Sequence, residues 1–190
     1  MYPENALEAI EFVCNHDNYN QYLAYLETWK EELEESSSLD RVEKICNMFM
    51  MGSIGNGDRR VCCCYEDVLI KLPLESCHKE SNYNEWSLHE YVKASYPELL
   101  EDLCPILAYK NDLIVVPVCD ELDMEYDSDE FFELRKKILD KFLEYGIEFT
   151  DLDAPYQFGM LDGKIVILDY EDYELLDANS DRLQPSFIFS

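Results

Sequence analysis

Residues 52–72, GSIGNGDRRVCCCYEDVLIKL, decide how the chain is read. Gly52, Gly55 and Gly57 make a turn-rich loop, and the two apolar runs that follow, Val61–Tyr65 and Val68–Leu72, have the length and composition of paired strands. Glu66 and Asp67 stand between them as the hairpin turn. Side chains alternate across a strand, so Cys62 and Cys64 share one side and Cys63 faces the other. Three thiols split in this way read as small buried hydrophobes and not as a metal cluster. Lys71 closes the second run, a single cation at the end of an apolar strand.

Working outward, the first 50 residues have helical periodicity. Leu7, Ile10, Val13 and Cys14 recur at three and four, and Tyr19, Tyr22, Leu26, Trp29 and Leu33 carry the period onward. Asp40 with Glu43 forms a capping box for a third helix bearing Val42, Ile45, Cys46 and Phe49. Downstream, Asn84 to Ser95 is helical, opened by Glu85. Ile106–Tyr109 and Leu113–Val118 read as a hairpin across Lys110-Asn111-Asp112. An acidic run from Asp120 to Glu130 leads into a helix with a Phe131, Leu134, Ile138, Phe142 stripe, capped by Asp127 with Glu130 and stopped by Gly146. Asp162-Gly163 between Phe158–Leu161 and Lys164–Leu168 is a strong hairpin signal. The order ααα-ββ-α-ββ-α-ββ predicts an α+β protein with a largely antiparallel sheet. It divides into an N-terminal helical extension at 1–50, a middle segment at 51–119 and a last segment at 120–190.

This succession resembles the protein-kinase-like fold, in its reduced, aminoglycoside-phosphotransferase-like versions found in small bacteriophage and bacterial proteins. The resemblance covers about residues 50–175. It implies a small lobe over 51–119 and a truncated large lobe over 120–190. Gly52, Gly55 and Gly57 would cover nucleotide phosphates, Lys71 would hold them, and Glu85 would pair with Lys71. In FTDLDAPYQFG (residues 149–159), Asp151 falls where the family keeps its base, and Asp169 falls at its metal-ligand position. The cofactors implied are ATP and Mg²⁺, absent if the chemistry is degenerate.

Departures from the family set the functional expectation. The family's magnesium-holding Asn lies five positions after the base, yet that position is Tyr156 and the nearest amide is Gln157. The 21 residues after Asp169 leave no room for an activation segment or later large-lobe helices. Asp58 places an acid beside the phosphate path. The enzyme reading therefore stays open, leaning towards a pseudokinase.

Charge supplies the rest. The chain has 42 Asp+Glu against 15 Lys+Arg, a formal net charge of −27 in 190 residues, and 47% hydrophobic residues that can build a core. Residues 1–50 hold 11 acids and 3 bases, 51–119 hold 11 and 6, and 120–190 hold 20 and 6. Such a surface repels phosphate backbones and anionic lipid and suits basic partners, so direct nucleic-acid and membrane binding are disfavoured. Residues 1–15 carry acids where a secretory signal carries Lys or Arg, and no apolar run is long enough to span a bilayer. The eight cysteines read as reduced thiols of a host-cell cytosol.

Two functions follow. One is a phage-type counter-defence or host-takeover protein that acts as a DNA mimic. It would bind and inhibit a basic nucleic-acid-binding enzyme such as a restriction enzyme, a CRISPR effector or RNA polymerase. The alternative is a small Mg-ATP-dependent phosphotransferase.

Overall fold

The computed structural model describes residues 5–32, 38–56 and 59–176. It is α+β, with helices and antiparallel sheets, and its packing divides into two compact units. The first takes the chain up to Trp86 together with Ile106–Val118; the second takes Ser87–Pro105 and the chain from Cys119 onward.

The first unit is built on a five-stranded sheet in the order β1-β2-β3-β5-β4: β1 Ser53–Asn56, β2 Arg60–Tyr65, β3 Val68–Pro73, β4 Ala108–Lys110 and β5 Leu113–Pro117. Every pairing in it is antiparallel. Two of the turns use the left-handed backbone region, and the second has the residues that favour it. Glu66 joins β2 to β3 with φ 52°, and Asn111 and Asp112 join β4 to β5 with φ 54° and 60°. Asn and Asp tolerate that left-handed conformation better than most residues do, which suits a two-residue hairpin loop. The expected glycine loop is different: residues 53–56 are a strand, with a register shift between Ser53 and Gly55 opposite Cys63 and Cys62.

One sheet face is apolar. Val61, Cys63, Val68, Ile70, Leu72, Leu113 and Val115 point into a core completed by helices α1 (Asn5–Asn15), α2 (Tyr19–Glu32) and α3 (Ser38–Phe49). Residues 1–50 therefore share the sheet's own core. The buried stripe of α1 is Ala6, Ala9, Ile10 and Val13. Leu7, expected on that stripe, is 61% exposed, because the helix packs about one position round from the face its large residues suggest. Asp40 lies inside the first turn of α3 and not at its cap. Leu33, expected to end the second helical stripe, lies outside the described residues.

The opposite sheet face carries the polar residues. Pairing Cys62 with Lys71 puts Lys71 and Arg60 on one side, away from Cys63. Helix α4 (Lys79–Ser95) supplies their partners from its first two turns, beginning five residues before the expected Asn84.

In the second unit, helix α5 (Asp129–Leu143) buries Phe131, Ile138 and Phe142. Its N-cap is Ser128, whose side chain accepts from the Phe131 amide, one residue after the expected Asp127. Gly146 ends the segment at φ 75°. Strands β6 (Asp120–Glu121), β8 (Phe158–Leu161) and β9 (Lys164–Ile167) form one sheet, and β7 (Ile147–Phe149) pairs with β10 (Tyr173–Leu175). The Asp162-Gly163 hairpin is present, with φ 52° and 77°. No helix among the described residues is long and apolar enough to cross a membrane.

Candidate functional site

The polar face of the first unit converges on Glu85. Lys71 reaches it from the centre of the sheet, where β3 lies between β2 and β5, and Arg60 reaches it from the start of β2. Lys71 Nζ donates to Glu85 Oε1 at 2.6 Å, and Arg60 Nη1 donates to Glu85 Oε2 at 2.5 Å. The Glu85 side chain is wholly buried, and those of both cations are 6% exposed. Burying three charges is costly, and it is tolerated here because each oxygen of the carboxylate has its own cation.

Asn82, one helical turn before Glu85, fixes this geometry. Its Oδ1 accepts from Arg60 Nη1 at 3.1 Å, and its Nδ2 donates to the backbone carbonyls of Lys71 and Asp112 at 3.0 and 2.6 Å. One amide thus ties α4 to β3, to Arg60 and to the β4–β5 turn. Trp86 stacks on Tyr109 with ring centroids 4.7 Å apart, and Tyr109 Oη bonds Asp112 at 3.3 Å. Burial first, then the Asp112 charge, pushes the Tyr109 hydroxyl up to about 12. The pairing of Lys71 and Glu85 was expected only through the kinase-like resemblance. Arg60 and Asn82 were not expected, although an arginine opening an apolar strand and an Asn three residues before a helical Glu are both visible in the sequence.

Gly52 precedes β1, and its carbonyl accepts from the Cys64 amide at 2.9 Å. Gly55 sits within β1. Gly57 lies outside the described residues, as does Asp58.

In the second unit, the segment between β7 and β8 is a loop held at both ends by the chain that follows β9. The Thr150 amide donates to Asp172 O at 3.0 Å, and the Leu168 amide donates to Gln157 O at 2.7 Å. Asp151 is exposed near the loop's start, and Asp169 is half-buried on the neighbouring segment. Helix α5 clamps the loop through Arg135, whose guanidinium donates to Leu152 O and to the Asp153 carboxylate. Gln157 is buried, and both of its side-chain atoms are in use: Oε1 accepts from the Ala154 amide at 2.8 Å and Nε2 donates to Asp151 O at 2.7 Å. It closes the loop on itself.

The first unit thus holds a buried carboxylate shared by two cations, and the second an Asp-bearing loop latched to an Asp-bearing segment. Compared with known protein families and with curated proteins, the chain's sequence matches none.

Proposed function

We propose that the chain is a reduced protein-kinase-like protein with degenerate chemistry, which binds and inhibits a basic nucleic-acid-binding protein in a host cytosol. Support for the kinase-like reading comes from the buried Lys71–Glu85 pair, set in a sheet of order β1-β2-β3-β5-β4 with α4 inserted between β3 and β4. Support for degeneracy comes chiefly from Gln157, whose amide is occupied in closing the loop that would carry the base.

The binding role rests on charge. Asp120, Glu121, Asp123, Glu125, Asp127, Asp129 and Glu130 are all exposed, in a chain of net charge −27. A run of carboxylates of this density offers Lys- and Arg-lined grooves the kind of field a phosphate backbone offers, and salt screens it. The experiment is capture of partners by the tagged full chain from bacterial lysate. Basic nucleic-acid-binding proteins should be held at low salt and released at high salt. Recovery of none counts against the proposal.

A second reading is a Mg-ATP-dependent phosphotransferase, favoured by the same Lys71–Glu85 pair. ATP would supply the phosphoryl group, with Mg²⁺ neutralising charge on its phosphates. Lys71, oriented by Glu85, would hold phosphate; Asp169 would hold the cation; Asp151 would take the proton of the acceptor hydroxyl. A ligand that binds only the folded chain stabilises it by ~2.7 kcal/mol at a hundredfold excess over Kd. A Mg-ATP-dependent rise in Tm that Lys71→Ala abolishes would favour this reading, and no rise would remove it.

A further inference from the structure

The connection between β3 and α4 carries a second cluster of chemistry, separate from the Glu85 construction. The segment Glu75-Ser76-Cys77-His78 is a single tight turn, closed by the His78 amide donating to Glu75 O at 3.1 Å. It brings together a carboxylate, a thiol and an imidazole whose ligand atoms all lie within 4.8 Å of one another. We propose that Glu75, Cys77 and His78 form a site for a zinc-like divalent transition-metal ion.

Three observations carry this. The donor set is sulfur, nitrogen and oxygen, the combination that borderline-soft ions such as Zn²⁺ favour and that Mg²⁺ and Ca²⁺ do not. Zinc bond lengths of about 2.0–2.3 Å put tetrahedral ligands roughly 3.3–3.8 Å apart, and Cys77 Sγ already lies 3.5 Å from Glu75 Oε2. His78 Nδ1 is buried with no hydrogen-bond partner, an expensive state for a polar atom unless something satisfies it.

Arg41 Nη1 holds Glu75 Oε1 at 3.0 Å, which orients the carboxylate and leaves Oε2 towards Cys77. Cys77 is exposed, so an ion and solvent can reach the site. On binding, the Cys77 S–H bond breaks, sulfur keeps the electron pair and forms the S–metal bond, and the proton leaves to solvent. Three protein ligands leave the fourth position to water.

The test titrates the reduced, chelator-treated full chain with Co²⁺. One equivalent should produce near-ultraviolet thiolate-to-cobalt absorption and the visible bands of a tetrahedral ion, both displaced by Zn²⁺. Cys77→Ser should abolish the thiolate absorption, and His78→Ala should weaken affinity about tenfold or more. Independently of any variant, one equivalent of Zn²⁺ should slow alkylation of Cys77 by iodoacetamide in the wild-type chain, with the other seven cysteines as internal references. Absorption that persists in Cys77→Ser, or a Cys77 labelling rate indifferent to Zn²⁺, overturns the proposal.

Discussion

Lys71 Nζ and Glu85 Oε1 form a 2.6 Å ion pair beneath the surface of the first unit, and Arg60 holds the second oxygen of the same carboxylate. A buried carboxylate facing one cation is a pair that motion can open. One gripped by two cations, with Asn82 locking both the helix and the strand, is a rigid joint. The arrangement serves the packing of α4 on the sheet whatever else Lys71 touches.

Unequal costs follow for its members. Breaking a buried pair from one side costs about 3–5 kcal/mol, because it strands a charge away from water. Glu85→Ala strands Lys71 and Arg60 together and should sit at the top of that range or unfold the unit. Lys71→Met leaves Arg60 still pairing Glu85 and should cost clearly less. Urea midpoints of the two variants decide it. Equal losses would mean that Arg60 does not compensate.

Gln157→Ala should loosen the Asp151 loop without touching a carboxylate. It removes the acceptor of the Ala154 amide and the donor to Asp151 O, and an unsatisfied buried group costs about 1–3 kcal/mol. Hydrogen exchange is the sharper readout. The Ala154 amide should lose protection while amides of the β8–β9 hairpin keep theirs. Unchanged exchange at Ala154 would show that the loop is held without the Gln157 side chain.

The parts of the fold that could be read from the sequence are those governed by local rules. The β2–β3, β4–β5 and β8–β9 hairpins, the α5 stripe and the Gly146 stop each rest on turn chemistry or periodicity confined to a few residues. Strand β1 was concealed because three glycines within six residues signal a turn, while its strand character comes from pairing with β2. Strands β6, β7 and β10 are two or three residues long and exist only through distant partners. The site divides differently. Lys71 and Glu85 were brought together only by the kinase-like resemblance. The double grip on Glu85 depends on cross-strand geometry, and the occupation of Gln157 depends on how an eight-residue loop folds back. Neither leaves a periodic trace in the sequence.

Alkaline pH should weaken the first unit through Tyr22. Burial first, with nearby Tyr19, Cys63 and Asp112 adding to it, holds its hydroxyl well above 10.0. A phenol with a folded value above its unfolded value contributes full stability below about pH 10 and loses it as pH rises beyond. Each such group removes up to ~1.4 kcal/mol per pH unit in that window. Tyr22→Phe should therefore flatten the fall in urea midpoint between pH 9.5 and pH 11, about the unfolded value of 10. It should not abolish the fall, since Tyr19 and Tyr109 are also pushed up to about 12. At neutral pH the variant should be about 1–2 kcal/mol weaker, because Tyr22 Oη donates to Pro73 O at 2.9 Å. An identical alkaline slope in both proteins would place the sensitive groups elsewhere.

Gly146 and Gly163 share nearly the same left-handed backbone, φ 75° and 77°, and differ in what surrounds them. A Cβ at Gly163 meets nothing within 4 Å, whereas one at Gly146 lies 2.7 Å from the Leu176 carbonyl oxygen. Backbone cannot turn aside as a side chain can, and here it is tied: the Leu176 amide donates to Gly146 O at 2.7 Å. Alanine at either site carries the left-handed penalty of about 1–2 kcal/mol. Gly146→Ala should cost at least a further ~1 kcal/mol, the scale of an overpacked contact or a lost hydrogen bond. Its damage should be local, with the Leu176 amide losing exchange protection and the β7–β10 pairing loosening, while Gly163→Ala leaves both intact. Equal stability losses in the two variants, with Leu176 still protected, would mean that the strand after β9 can withdraw from Gly146 at no cost.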